Sequence, residues 1–293
     1  MPKDDIIPIL LDTDIGSDID DAVCLAYLLR QPRCELVGVT TVSGQVEERA
    51  KLVSAMCLAA GRTDVPINPG TENPLLTPQK QPEAPQSAAL ADLPHSTDFK
   101  SNSAIDFMRR TIHERPGEIT LLAIGPMTNV GLLFATDPEI PGLLKQLVLM
   151  CGNFADGWEW NAITDPYATA IVYKAQPKLH ISVGFDITTR CVLSADLCRK
   201  KFVGSVLEAA AKMAETWFKH VDGITFHDPL TAAILFEPDI CKYENGNVEV
   251  EIMDKDKLGI TRWNTKSADK QHTIAVDVDP DRFFEHYFSI AGS

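Results

Sequence analysis

Positive charge is scarce in this chain. Its 27 lysines and arginines face 41 aspartates and glutamates, a formal net charge of −14, and no Lys or Arg lies between Lys3 and Arg30. A surface of that sign repels phosphate backbones and anionic lipid, so nucleic acid and membrane surfaces are not expected partners; a cation is. No uninterrupted apolar run approaches the ~18 residues of a membrane span. Residues 1–5 are polar and no cleavage-site pattern follows, so no signal peptide is expected. The seven cysteines (Cys24, Cys34, Cys57, Cys151, Cys191, Cys198 and Cys241) include no CxxC pair, their number is odd, and several sit in apolar runs. That pattern points to reduced, mostly buried thiols in a cytoplasmic protein rather than to a disulfide framework. Internal repeats and a convincing linker are also missing.

What is present is an alternation of short apolar runs and helical periodicities. At 293 residues, 45% hydrophobic and 23% charged, the chain suits an ordinary globular protein with a sizeable core. The pattern predicts strands at Ile6–Leu11, Leu36–Val42, Ile119–Ile124, Leu147–Cys151, Leu179–Phe185, Val248–Met253 and Thr273–Val278. It predicts helices at Asp20–Arg30, Glu47–Ala60 (closed by Gly61), Ala104–His113, Asn129–Ala135, Pro166–Ala175, Val203–His220, Pro229–Phe236 and Asp281–Ile290. The simplest account is one α/β domain over 1–293, with a central, mainly parallel β-sheet flanked by helices. Ligands of such sheets lie beyond the carboxyl ends of the strands. The Pro- and Gln-rich stretch Asn68–Lys100 breaks the alternation, as an active-site lid or a mobile segment would.

At one such strand end stand five aspartates: Asp12, Asp14, Asp18, Asp20 and Asp21. Carboxylates this crowded cannot all stay ionised without a counter-charge. One or two would serve a turn and a helix cap, with Asp18 a candidate cap; five exceed that need. Hard oxygen donors without thiolates or paired imidazoles point to Ca²⁺ or Mg²⁺ rather than zinc. No glutamate stands at the twelfth position of an EF-hand loop counted from Asp12 or Asp14. Three further segments fall near predicted strand ends or helix starts: AIGPMTNVGLL from Ala123, WEWNAITDP from Trp158 and FHDPLTAA from Phe226. Each has an ordinary structural explanation alone. Thr128 or Asn129, Asp165 and Asp228 could be helix caps, and His227 a hydrogen-bonded histidine. Aromatic residues mixed with carboxylate and amide also suit a sugar or nucleobase pocket.

Taken in order along nearly the whole chain, these segments resemble the inosine–uridine-preferring nucleoside hydrolase family. Its D-x-D-x-x-x-D-D opening resembles Asp12, Asp14, Asp20 and Asp21, followed by Ala22 and Val23. Its G-P-x-T-N turn resembles Gly125–Asn129, and its E-x-N before a DP helix start resembles Glu159, Asn161, Asp165 and Pro166. Its G-x-D-x-T resembles Gly184, Asp186 and Thr188, and its late H-D-P resembles His227–Pro229. The resemblance implies Ca²⁺-dependent hydrolysis of the N-glycosidic bond of a ribonucleoside. Ca²⁺ would be held by Asp14, Asp21, Asp228 and the backbone carbonyl of Ile124, with Asp14 as general base and His227 protonating the departing base. Asp20, Gln45, Asn153, Glu159 and Asn161 would bind the ribose, with Asp12 and Asp186 supporting from behind. A homodimer or homotetramer acting on a small nucleoside or riboside is also implied.

Three departures stand out. Two extra residues separate Asp14 from the paired aspartates; a strict register would put Asp18 and Ile19 there, but Ala22 and the apolar helix favour Asp20 and Asp21. Gln45 stands where the family often has asparagine. No H-G-x-x-G segment occurs between Gly70 and Lys100. Two other classes stay open. One is a non-catalytic ribose- or nucleoside-binding protein that keeps the metal site. The other is a Mg²⁺-dependent phosphatase with an aspartate nucleophile, which would want a downstream lysine and acidic pair that are not obvious here.

Overall fold

A computed structural model describes residues 6–155, 157–268 and 270–292. Strand β1 (Ile7–Thr13) leads through helix α1 (Asp20–Arg30) to β2 (Cys34–Thr41), then through α2 (Val46–Ala59) to β3 (Ile67–Pro69). The chain then crosses back by α3 (Ala104–Glu114) to β4 (Thr120–Ala123). It continues through α4 (Thr128–Thr136) and α5 (Ile140–Leu143) to β5 (Gln146–Met150), then α6 (Trp160–Thr164), α7 (Pro166–Lys174) and β6 (His180–Val183). Next come α8 (Phe185–Thr188), β7 (Val192–Ser194), α9 (Ala195–Lys201), α10 (Ser205–Trp217), β8 (Gly223–Thr225) and α11 (His227–Ala233). The chain closes with β9 (Cys241–Val250), β10 (Thr261–Asn264), β11 (His272–Val278) and α12 (Pro280–Ala291).

Nine strands form one sheet in the order β10-β9-β11-β6-β5-β4-β1-β2-β3. Every pairing from β11 to β3 is parallel; β9 and β10 add antiparallel pairings at the far edge. The expected architecture is therefore present. Strand order reverses between β1 and β4, where Asp12 pairs with Ala123. A reversal of this kind opens a crevice beyond the carboxyl ends of its two strands.

Two apolar layers sandwich the sheet, and β1 shows how. Ile9 and Leu11 join one core while Leu10 joins the other, the alternation a strand buried on both faces imposes. β7 and β8 form a separate antiparallel ribbon. All seven cysteines are free thiols, and among the described residues no helix is long and apolar enough to cross a membrane.

Some expected boundaries and caps shift. Asp18 does not cap α1: Ile19 holds that position without a side-chain bond, and Asp18 accepts from the Ile19 N–H at 2.5 Å instead. Thr128 and Asn129 do not cap α4; their side chains reach Asp165 and Asp12. Asp165 does cap α7, accepting from the Ala168 N–H. Asp228 lies inside the first turn of α11 rather than capping it. The 68–100 stretch contains the end of β3 and a 3₁₀ turn at Pro85–Asp92.

Candidate active site

The crevice at the strand reversal is a cavity of about 530 Å³. Carboxylates line it: Asp14, Asp18, Asp20, Asp21, Asp228 and Glu159. So do the rings of Trp160, Trp217, Phe185 and His227. Residues 81–83 and Pro85, from the long Pro/Gln-rich stretch, complete the wall.

Asp20, Asp21 and Asp228 each offer a carboxylate oxygen within 4.8 Å of the others, and all three are buried. The fold forces this meeting, since the first turns of α1 and α11 abut; the Asp228 N–H donates to Asp20 Oδ2 at 3.0 Å. Asp21 accepts from the Thr13 hydroxyl and, at 3.2 Å, from the Asp14 N–H. Burial, then mutual repulsion, pushes the carboxyls of Asp20 and Asp228 well above the usual range. Burial followed by the charge of Asp14 does the same to Asp21. A compact set of buried carboxylates whose proton affinity is raised by one another suits a hard divalent cation, which would relieve that repulsion. Asp14 stands next to this trio rather than in it. A Cβ on Gly125 would lie 2.8 Å from Asp14 Oδ1, so only glycine fits at 125.

A cation unexpected from the sequence lies behind the aspartates. Arg49, from α2, is fully buried. Its guanidinium donates to the backbone carbonyls of Asp14, Ile15 (3.0 Å), Ser43 (2.6 Å) and Glu83 (3.2 Å) and to the Ser17 hydroxyl (3.0 Å). It braces the turn after β1, where Gly16 adopts φ +118°, and ties that turn to the 81–86 wall. Burial raises the Asp14 carboxyl and the Arg49 charge partly offsets this.

The other expected site residues divide. Glu159 is in the wall, but its carboxylate caps α6, accepting from the N–H groups of Asn161 (2.6 Å), Ala162 (2.9 Å) and Gly152 (3.0 Å); burial lifts it to about 7. Asn161 spends its amide hydrogens on the carbonyls of Ile124 (2.7 Å) and Met150 (3.0 Å), which leaves its Oδ1 for a ligand. The Ile124 carbonyl thus already accepts one bond, with its second lone pair remaining. Asp12 is held by the Thr40 hydroxyl (2.5 Å) and the Asn129 amide (2.8 Å), not by the trio, and burial lifts it to about 7. Its Oδ2 is buried without a partner.

Like Asp12, three further expected residues lie outside the cavity wall. The longer arm of Gln45 carries its carbonyl to the Ala84 N–H at 2.9 Å, where it anchors the loop. Asn153 turns its Oδ1 to the Ala155 N–H, and its backbone is fixed to Thr261. Asp186 accepts from the Phe154 N–H at 3.0 Å.

Gln81 occupies the space that sequence motifs left open. Its amide donates to Asp14 Oδ2 at 2.6 Å and accepts from the Trp160 indole N–H at 2.6 Å, spanning the cavity from floor to mouth. His227 is lined up by Thr188, 2.6 Å from Nδ1, and by the stacked ring of Phe185. Burial lowers the His227 imidazole to about 4, so its ordinary solution pKa does not carry over to this position.

A family model described as inosine-uridine preferring nucleoside hydrolase matches residues 9–285. Uridine nucleosidase 1 of Arabidopsis thaliana is 30% identical over 287 residues, covering 87% of this chain and 83% of that protein. The non-specific ribonucleoside hydrolase RihC of Salmonella newport is 30% identical over 292 residues, covering 92% and 94%. Among solved structures, a purine-preferring ribonucleoside hydrolase from Gardnerella vaginalis superimposes with a TM-score of 0.85 at 24% identity, covering 97% of this chain and 98% of that one.

Proposed function

Because the chain belongs to the inosine-uridine preferring nucleoside hydrolase family, and so to the hydrolases of N-glycosyl compounds, we propose that it cleaves a ribonucleoside or related N-riboside in a Ca²⁺-dependent reaction. The observation that carries this reading is one cavity of about 530 Å³ lined by both clustered carboxylates and aromatic rings, a size and chemistry suited to a sugar joined to a flat base.

Asp21 and Asp228 would hold the cation, with Asp14 and the Ile124 carbonyl from the neighbouring strand ends and Asp20 beside them. A bound Ca²⁺ would supply polarisation of a water molecule and a grip on ribose hydroxyls. Asp14 is the general base. It lines the cavity, and it takes the water's proton as the water oxygen closes on C1′ and the C1′–N bond breaks. Asp20 has one carboxylate oxygen that accepts no bond from Asp228, and Asn161 has a free Oδ1; both suit ribose hydroxyls. Glu159 chiefly fixes the loop that presents them. Trp160, Trp217 and Phe185 offer flat faces to the base, and His227 is the donor toward it as it leaves.

The test is ribose release from inosine, uridine, adenosine, cytidine, nicotinamide riboside and a nitrophenyl riboside, each with Ca²⁺ and with a chelator. Release that the chelator abolishes and Ca²⁺ restores is expected, as is a loss of ~10²–10⁴-fold for Asp14→Ala. Full activity of Asp14→Ala on any riboside would remove Asp14 from both its roles. Ca²⁺ binding without release from any member of the panel would favour a binding protein.

A further inference from the structure

His227 opens α11 and stands in the cavity wall, but the contacts that set its ring come from α8. The Thr188 hydroxyl lies 2.6 Å from His227 Nδ1. The Phe185 ring stacks on the imidazole, with centroids 5.5 Å apart and planes 16° from parallel. α8 is a single turn, Phe185–Thr188, that directly follows β6. Both groups are therefore delivered at the carboxyl end of a parallel strand, next to the cavity.

Thr188 is fully buried, and its hydroxyl has one proton to give. The alternative acceptor is the Phe185 carbonyl, at the longer distance of 3.3 Å. A proton given to the nearer nitrogen makes Nδ1 an acceptor, and a neutral ring then carries its hydrogen on Nε2, on the edge turned away from Thr188.

We propose that Thr188 is a positioning residue for leaving-group departure: it holds His227 in the Nε2–H tautomer, so that the ring presents a donor to the departing base. This deepens the riboside-hydrolysis reading and rests on it. In the step concerned, the water oxygen bonds to C1′ and its proton passes to Asp14. The C1′–N bond breaks and its electron pair stays with the base. The Nε2–H hydrogen bond stabilises that pair until the base gains a proton from solvent, and Asp14 returns its own proton to solvent, so charge and atoms balance.

The experiment compares wild type, Thr188→Val and Thr188→Ser on uridine or inosine, whichever is turned over, and on a 4-nitrophenyl riboside, whose leaving group needs no donor. Thr188→Val should lower kcat on the nucleoside by ~10–100-fold, a fraction of a full acid-catalytic effect. It should leave KM, and kcat for the nitrophenyl riboside, within about twofold. Thr188→Ser should restore the nucleoside rate. Equal losses on both substrates, no loss on either, or no rescue by serine would overturn the proposal while leaving the hydrolase reading intact. Failure of the wild type to release ribose from any riboside of the panel would overturn both. Imidazole ¹⁵N shifts of His227 in the unsubstituted protein read the tautomer directly, so a poorly folding valine variant does not shield the idea. A proton found on Nδ1 ends it.

Discussion

At the scale of single residues, the site holds a side chain that no motif announced. Gln81 spans Asp14 and Trp160, and its amide hydrogen occupies the oxygen at which a water must lose its proton. A riboside seated over Asp14 has to displace that amide. Breaking two hydrogen bonds, one of them to a carboxylate, opposes binding by roughly 1–2 kcal/mol. Gln81→Ala should therefore lower the Kd of a non-hydrolysable ribosyl analogue by about 5–30-fold, measured by calorimetry. A weaker complex would mean that the amide contacts the ligand instead of competing with it. Gln81 was illegible in the sequence because it lies in a stretch whose prolines and glutamines carry no periodicity. The structure explains that composition. Gln79, Gln81 and Gln86 each bridge the stretch to itself or to a neighbouring wall, so the segment is a built wall more than a free loop.

Arg49 acts at the scale of elements. One fully buried guanidinium joins the turn after β1, the turn before α2 and the 81–86 wall, with carbonyl acceptors at Ile15, Ser43 and Glu83. Its removal would orphan several buried carbonyls and take a positive charge from beneath the aspartates. Arg49→Met should cost about 3 kcal/mol or more, read as a lower urea midpoint at unchanged slope. A change under about 0.5 kcal/mol would show the brace to be dispensable. The same comparison separates what could be read in advance from what could not. α1 was expected at Asp20–Arg30 and is found there, because buried apolar residues at helical spacing need no tertiary information. β9 was expected only from Val248 but begins at Cys241. Its first half, CKYEN, is polar enough to hide, since β9 lies near the exposed edge of the sheet and is stabilised by pairing with β11. The motif residues from β1, α1 and α11 do converge. Asn153, Asp186 and Gln45 do not line the cavity, because their side chains are taken up by backbone N–H groups of neighbouring loops, a use that spacing alone does not reveal.

For the whole molecule, the acidic cluster ties stability to pH and to cation binding. Burial raises the carboxyls of Asp20, Asp21 and Asp228 well above their unfolded values, and lifts Asp18 to about 6. An acid with a raised folded pKa is stabilising while protonated. That contribution is fully present below about pH 4, the unfolded value, and is lost as pH rises through the folded pKa. The chelated protein should therefore lose thermal stability between about pH 5 and 8, a window above the range in which exposed, ion-paired carboxylates such as Asp64, Asp137 and Glu215, all held low, begin to protonate. A divalent cation competes with those protons for the same oxygens, so its stabilisation grows as they leave. Thermal unfolding with chelator and with saturating Ca²⁺ should show an increment in Tm that is small at pH 5 and several degrees at pH 8. Mg²⁺ is the natural comparison, because three closely set carboxylates suit the larger, more tolerant ion better than one that demands an octahedral shell. An increment of the same size at both pH values would mean that the cation binds somewhere other than at Asp20, Asp21 and Asp228. Its absence at both would remove the metal from the proposed reaction and leave Asp14 to activate water without it.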